Sequence, residues 1–233
     1  MWAEHVQVSV PRKLVAEGVG TALLVAAVVG SGTMAQMLAK DPAIALLCTT
    51  IATGGALVAI LLIFGPISGA QLNPAVTVVM AVTRELSPAV AAGYIVVQVA
   101  GGVAGAILAN AMFGLEPISI ATTIRTGFPK LLGEGVATCG LIGVVICVGR
   151  TRGPLIPFAL AAYVTAGYWF TSSTSFANPA VTIARSLSDT YAGIRPTDIA
   201  GFLFAQGVGA TLGALLFSWL LPVHAGVAEP AET

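Results

Sequence analysis

The sequence predicts an all-α membrane protein with six transmembrane helices, two re-entrant half-helices and an inverted internal repeat. Only 9% of its 233 residues are charged and 57% are hydrophobic, whereas a soluble domain usually has about 25% charged residues. Six apolar stretches approach the length of a bilayer crossing, and two shorter segments contain the same Asn-Pro-Ala motif. A surface with so little charge is unsuited to water, so we expect most of it to face lipid.

The six apolar stretches are separated by segments that contain charged residues. They cover residues 14–38, 43–64, 89–113, 131–148, 155–170 and 199–221. A hydrocarbon core about 30 Å thick needs roughly 20 apolar residues in a helix, and the fifth stretch is the shortest. The apolar run from Leu14 is too long for the core of a cleavable signal peptide, so we expect it to be a transmembrane helix.

Two further segments, residues 67–82 and 172–187, are too short to cross a membrane. Each has a polar approach, then Asn-Pro-Ala-Val-Thr, then a short apolar run. The motifs are Asn73, Pro74 and Ala75 in the first segment and Asn178, Pro179 and Ala180 in the second. Asparagine caps a helix, and proline suits its first turn because it lacks the N–H that would be orphaned there. We therefore predict a loop and a short helix at each motif, received by protein or by a water-filled cavity.

The two halves of the chain resemble each other. We predict one domain over residues 1–233, with a first repeat at 12–113 and a second at 129–222. The alignment pairs Glu17 with Glu134 and Gln98 with Gln206. Each half has three spans and one half-helix, and an odd number of spans gives the halves opposite orientations. Inverted repeats with broken helices place a site near the midplane, so the pattern indicates a pore or a carrier.

The paired motifs favour the passage of neutral solutes. In the inverted arrangement the half-helices meet at their N-termini, each of which carries about half a positive charge. Asn73 and Asn178 can each cap a helix and still present an amide N–H to the lumen. Half-helix dipoles exclude protons and cations in other pores, so the expected solute is uncharged and forms hydrogen bonds.

The chain resembles the aquaporin (major intrinsic protein) family over nearly its whole length. The resemblance rests on SGAQLNPAVT, FANPAVTIARS, the paired Glu17 and Glu134, and the layout of six spans and two half-helices. It implies a channel for small uncharged solutes, and a homotetramer in which each protomer has its own pore. It also implies a multi-pass protein of the cell (inner or plasma) membrane with cytoplasmic termini. Basic residues divide equally between the two predicted sides, so this orientation comes from the resemblance and not from the charges.

The predicted selectivity filter departs from the family pattern. Most members have arginine directly after the second Asn-Pro-Ala, and this chain has Val181. The other filter positions lie twenty residues before the first motif asparagine, and twelve and three before the second. These positions are Thr53, Ala166 and Ser175. All four residues are small, so we predict a wide, weakly polar filter that still rejects ions because their desolvation is costly.

This valine-containing filter resembles that of the arsenic-associated branch of bacterial aquaglyceroporins. The resemblance implies passage of neutral arsenite and of uncharged, protonated methylated arsenicals. Glycerol and water are further expected solutes. Gln71 stands where many relatives have histidine, which argues against gating by a titrating residue there.

Arg185 and the two glutamates each allow two interpretations. Arg185 lies four residues beyond Val181, about 6 Å further along the helix. It is either a residue of the outer vestibule that orients polar solutes or the ion-pair partner of Asp189. Glu17 and Glu134 either hold the re-entrant loops by hydrogen bonds, which we prefer, or form a proton-coupling site.

The sequence leaves one alternative function open and argues against others. A secondary transporter for a small solute is the alternative function, because carriers share inverted repeats and broken helices. A membrane junction protein would need longer loops. We predict no enzyme activity, cofactor, metal site or nucleic-acid partner, because His5 and His224 lie near the termini and no nucleophile–base pair is evident. The cysteines, interpreted as small core residues or as sites of mercurial sensitivity, are Cys48, Cys139 and Cys147.

Overall fold

The computed structural model describes residues 8–222, so His5 and His224 lie outside it. The described residues form helices, turns and loops, with no strand among them, and the predicted all-α fold is confirmed. The α-helices are α1 (Val10–Leu38), α2 (Pro42–Ser68), α3 (Pro74–Val82), α4 (Pro88–Met112), α5 (Phe128–Gly143), α6 (Gly149–Arg152), α7 (Ile156–Phe170), α8 (Pro179–Ala184) and α9 (Ile199–Leu220). A π-helical turn covers Val144–Val148, and 3₁₀ turns cover Gly153–Leu155, Arg185–Leu187 and Pro196–Asp198.

Proline determines where most of these helices begin. A proline stands in the first two positions of α1 to α5 and of α7 and α8. Its missing N–H costs nothing at that place, and its fixed φ suits the helix. Asp41 adds a side-chain cap to α2 by accepting the N–H groups of Ala43 at 2.7 Å and Ile44 at 3.3 Å.

Five helical segments of the described chain are long and apolar enough to cross a membrane. They are Val10–Leu38, Pro42–Ser68, Pro88–Met112, Phe128–Phe170 and Pro196–Leu220, with mean hydropathies between 1.7 and 2.3. Large apolar side chains cover the outside of the molecule. Leu38, Trp219 and Phe204, for example, are 79%, 75% and 73% exposed, which suits contact with lipid.

The segment Phe128–Phe170, 43 residues long, folds back on itself. The backbone angles of Arg152, φ −147° and ψ 49°, interrupt the helix just before Pro154. The Tyr163 hydroxyl then donates to the Val136 carbonyl at 3.4 Å, so that α7 runs back along α5. The hairpin contains the predicted stretches 131–148 and 155–170, which is why five helical segments hold six predicted spans.

Glycines allow the closest helix contacts, and they do so at matching places in the two halves. A Cβ atom on Gly101 of α4 would overlap the Gly18 carbonyl of α1. Likewise, a Cβ atom on Gly209 of α9 would overlap the Gly135 carbonyl of α5. Helices in lipid associate through such close backbone packing, because the hydrophobic effect does not drive them together.

The cysteines only partly fulfil the expectation of core positions. Cys139 and Cys147 are partly buried, whereas Cys48 is exposed on α2. The expectation is therefore wrong for Cys48. An apolar outer face accommodates this small side chain as readily as a core does.

Candidate functional site

The two Asn-Pro-Ala motifs begin the short helices α3 and α8. The proline of each motif is the first helical residue. The Asn73 side-chain oxygen accepts the N–H of Ala75 at 2.9 Å, and that of Asn178 accepts the N–H of Ala180 at 3.0 Å. Each motif therefore starts a capped helix in which few backbone donors are left without a partner.

The same asparagines join the two half-helices. Asn73 Nδ2 donates to the Ala177 carbonyl and Asn178 Nδ2 donates to the Leu72 carbonyl, each at 2.8 Å. The N-termini of α3 and α8 thus meet, as the inverted arrangement requires. An amide carries two N–H groups, so each asparagine keeps one donor for the cavity that both residues line.

The loops before the motifs adopt an unusual backbone conformation. Ala70, Leu72, Ser175 and Ala177 have φ values of 44°, 50°, 50° and 47°. Such left-handed conformations cost non-glycine residues about 1–3 kcal/mol each and persist only where the surroundings fix them. Because the two loops share these left-handed positions, we expect the same kind of contact to hold the backbone of each.

Glu17 supports the first loop from α1. One carboxylate oxygen accepts the Ser68 hydroxyl at 2.6 Å and the Gln71 N–H at 2.9 Å. The other accepts the Leu72 N–H at 2.7 Å and the Gln98 amide at 2.8 Å. These four bonds use both oxygens of the carboxylate for the loop and for α4.

Glu134 supports the second loop in the same way. It accepts the N–H groups of Phe176 at 2.8 Å and Ala177 at 2.9 Å, and the Gln206 amide at 2.8 Å. Glu134 and Glu17 are both 0% exposed, and neither lines the cavity. This geometry favours the loop-holding interpretation over proton coupling.

A cavity of about 1050 Å³ is lined by both half-helices. Its wall is mostly apolar and includes Leu57, Leu61, Val76, Leu141, Ile146 and Leu160. None of the three cysteines lines it. Polar groups occur near the two asparagines and at the ends, so the cavity offers little to stabilise a charge in transit.

One end of the cavity carries an ion pair and an amide. Arg150 and Glu85 line this end and approach to 3.3 Å. Gln71 lies between this pair and Asn73 in the cavity wall, and its Oε1 atom is buried without a hydrogen-bond partner among the described residues. No histidine of the described chain is present here to titrate.

Three of the four predicted filter residues lie together in the cavity wall. Thr53, Ser175 and Val181 line it and are 1%, 5% and 5% exposed. The Ser175 hydroxyl has no hydrogen-bond partner in the described structure. These small side chains leave one flank of the passage wide.

The fourth predicted residue, Ala166, does not join them. It is exposed on the outer face of α7 and does not line the cavity. Five residues of α7 line it, and four of them, Ile156, Leu160, Val164 and Tyr168, share one helix face at a spacing of four; the fifth is Pro157. The Tyr168 hydroxyl donates to Thr53 Oγ1 at 3.3 Å. The position counted back from Asn178 is therefore not among the residues that line this cavity.

Arg185 lies beyond Val181, at the end of the cavity away from the ion pair of Arg150. It lines the cavity, is only 3% exposed, and its Nε–H donates to the Ala192 carbonyl. Asp189 instead accepts the N–H and hydroxyl of Thr122 at 2.8 and 2.9 Å. The Arg185–Asp189 pair is therefore not formed.

A second arginine, Arg125, approaches from the loop between α4 and α5. Its guanidinium donates to the Gly193 carbonyl at 2.7 Å and to the Tyr191 carbonyl at 3.2 Å. The Cζ atoms of Arg125 and Arg185 lie 4.9 and 3.4 Å from the centroid of the Phe176 ring. Burial lowers the pKa of Arg125, and interactions with groups such as Tyr191 partly offset this effect.

Three residues of the site, Arg125, Phe176 and Tyr168, were not predicted from the sequence. Arg125 looks in the sequence like any basic loop residue, and Phe176 like the apolar neighbour of a motif. Tyr168 carried the one usable signal, since it follows Leu160 and Val164 at helical spacing.

Comparison with known proteins agrees with this geometry. Residues 4–148 match the family described as "Major intrinsic protein". The chain is 49% identical over 210 residues to Aquaglyceroporin AqpS of Rhizobium meliloti, covering 90% of each chain. It is 34% identical over 126 residues to Glycerol uptake facilitator protein-like 6 of Lactiplantibacillus plantarum, covering 54% of this chain and 55% of the relative. The fold is similar to the X-ray structure of the aquaglyceroporin from Plasmodium falciparum, with a TM-score of 0.66 and 19% identity over 90% of this chain and 96% of that one.

Proposed function

The chain belongs to the major intrinsic protein family and is a membrane channel of the aquaglyceroporin type, and we propose that its solutes are small, uncharged and rich in hydroxyl groups. The solutes we favour are neutral metalloid acids such as arsenite, protonated methylated arsenicals, glycerol and water. The observation that carries this proposal is Val181 in the cavity wall, where most of the family has arginine.

The wall chemistry supports a solute of this kind. Thr53 and Ser175 supply hydroxyl groups beside Val181, and Asn73 and Asn178 supply amide N–H groups further in. A hydroxyl-bearing solute can donate to and accept from these groups as it loses its water. An ion entering the apolar remainder of the cavity would lose its hydration without compensation. The meeting N-termini of α3 and α8 add a barrier to cations.

We assign the filter to Thr53, Tyr168, Ser175 and Val181. Tyr168 replaces Ala166 because it lines the cavity and contacts Thr53. Its ring gives the passage an apolar surface for the carbon side of a polyol, while the hydroxyls of Thr53 and Ser175 in the same cavity wall receive the polar side. In this proposal the passage is wide because the side chains of Val181 and Ser175 are small.

The resemblance to the family supports a proposal for the wider organisation. We propose one domain over residues 1–233 with inverted repeats at 12–113 and 129–222, and a homotetramer with a pore in each protomer. We place the protein in the cell membrane with cytoplasmic termini, and we assign Glu17 and Glu134 to holding the re-entrant loops.

The test is stopped-flow permeability of proteoliposomes to water, glycerol and neutral arsenite. We compare the native chain with Val181→Arg and, as a control for bulk without charge, Val181→Leu. We expect the native pore to pass glycerol or arsenite, and Val181→Arg to slow them by about tenfold, equivalent to about 1.4 kcal/mol. Passage of water alone, unchanged by Val181→Arg, would refute the substrate proposal. Saturable uptake coupled to an ion gradient would favour the transporter alternative.

A further inference from the structure

The Arg185 end of the cavity holds a buried positive charge without an acidic partner. Arg185 is 3% exposed and lines the cavity. Its Nε–H donates to the Ala192 carbonyl, and its two terminal amino groups have no hydrogen-bond partner among the described residues. A guanidinium offers five N–H donors in a planar fork, so most of these donors remain for a ligand in the cavity.

The acidic side chains in the neighbourhood are engaged elsewhere. Glu134 binds backbone N–H groups of the second loop and the Gln206 amide. Asp198 accepts the backbone N–H of Arg125 at 2.7 Å and pairs with Arg195 at 2.9 Å. Asp189 binds the backbone and hydroxyl of Thr122. No described carboxylate therefore forms an ion pair with Arg185.

A second donor in the same wall also has no partner. The Ser175 hydroxyl is buried, its residue is 5% exposed, and no described group bonds to it. A buried polar group without a hydrogen bond is costly, so the unpaired Ser175 hydroxyl, in the same cavity wall as the Arg185 guanidinium, indicates a position for a polar ligand. Arg125 also contacts the Phe176 ring, and its charge adds to the positive potential at this end of the cavity.

We propose that Arg185 and Ser175 form a binding site for a small monovalent oxyanion, of the carboxylate class, at this end of the pore. The inference rests on the proposed channel function only for its effect on transport. Guanidinium and carboxylate form strong, charge-assisted bonds in a planar geometry. We expect the ligand to carry one negative charge. Of Arg125 and Arg185, only Arg185 lines the cavity, and the uncharged Val181, Phe176 and Tyr168 beside it cannot compensate a second negative charge.

The bound anion competes with neutral solutes for the same donors. Further passage is opposed by the apolar wall of the cavity beyond the asparagines, which includes Leu57, Leu141 and Leu160. Carboxylates should therefore lower the permeability to glycerol without themselves being rapid permeants. At an anion concentration equal to its dissociation constant, half of the pores are occupied and glycerol permeability falls about twofold.

The experiment uses formate and acetate against chloride at equal ionic strength. Glycerol permeability of proteoliposomes is measured with each anion on both sides, for the native chain, Arg185→Gln, Ser175→Ala and Lys130→Gln. Lys130→Gln is the control. It removes a basic residue that is predicted on the same side of the membrane as Arg185 and that does not line the cavity. We expect formate to inhibit the native chain and Lys130→Gln equally, Ser175→Ala more weakly, and Arg185→Gln no more than chloride does.

A binding readout separates failure of this site from failure of the proposed function. The thermal unfolding midpoint of the purified protein should rise in formate relative to chloride, because a ligand of the folded state stabilises it. This shift requires no glycerol transport. Ser175→Ala retains the charge and its pairing with Ala192, so it remains informative if Arg185→Gln does not fold. Equal formate effects in the native chain and in the folded Arg185 and Ser175 variants, or equal effects of formate and chloride, would overturn the proposal.

Discussion

The Arg185 guanidinium lies over the ring of Phe176, with its Cζ atom 3.4 Å from the ring centroid. Phe176 is two residues before the second motif asparagine and Arg185 is seven residues after it, so the contact joins the loop before α8 to the turn that follows it. A cation over an aromatic face is attracted by the ring's electrons. The cavity thus has a fixed positive charge at one end, whereas the proposed filter has Val181 and no arginine side chain.

Removal of the Arg185 charge should weaken the exclusion of cations. We expect Arg185→Leu to raise the sodium conductance of proteoliposomes several-fold, because a fixed positive charge in a low-dielectric passage repels cations strongly. Glycerol permeability should change less than conductance does. Arg195→Gln is the control, since Arg195 pairs with Asp198 at 2.9 Å and does not line the cavity. Equal conductance in all three proteins would assign cation exclusion to the half-helix dipoles alone.

The assignment of Tyr168 to the filter gives a second test. Tyr168→Ala removes an aromatic wall and should raise the permeability to solutes larger than glycerol by about tenfold or more, which corresponds to about 1.4 kcal/mol of barrier. Ala166→Leu is the matched change two residues away, and it should have no effect because Ala166 is exposed on the outer face. Permeability to polyols of increasing size measures both. The reverse outcome would restore Ala166 to the filter.

The role of Glu17 is tested by stability and by pH together. Glu17→Ala leaves the N–H groups of Gln71 and Leu72 without their acceptor, and each buried donor left unpaired costs about 1–3 kcal/mol. We therefore expect a clear fall in the thermal unfolding midpoint. Thr211→Ala, on the exposed side of α9, is the control for loss of one hydroxyl bond.

A proton-coupling role for Glu17 would instead affect transport, and the variant Glu17→Gln tests it. That variant should then abolish uptake driven by a pH gradient in a protein that otherwise remains stable. On the loop-holding account the native chain shows no such driven uptake. Uptake of glycerol with and without an imposed pH gradient distinguishes the two.

The close contact of α1 with α4 predicts a large effect of one methyl group. Gly101→Ala places a Cβ atom against the Gly18 carbonyl, and the backbones must separate to admit it. We expect loss of stability of about 1–3 kcal/mol, the usual cost of overpacking. Gly55→Ala is the control, because a Cβ atom there meets nothing within 4 Å. Denaturation in detergent followed by circular dichroism compares them, and equal stabilities would contradict the packing described.

Local chemistry explains what could be predicted of the site. The capped starts of α3 and α8 depend on asparagine followed by proline, and both residues act on their own backbone. The loop-holding carboxylates were also recognisable, since a buried charge must be paired with nearby donors. What the sequence left open was which donors these are, because Glu17 and Leu72 are 55 positions apart in the chain.

The sequence by itself determined that this chain lies in a membrane, that two short helices begin at the motifs, and to which family it belongs. These properties depend on apolar length, proline positions and short motifs, all of which act over a few neighbouring residues. Only the tertiary structure decided that Tyr168 and not Ala166 faces the cavity, and that Arg185 contacts Phe176 in place of Asp189. It also brought Arg125 to the same ring. The rotation of a helix and the partner of a long side chain depend on packing between distant segments, and no local pattern encodes that packing.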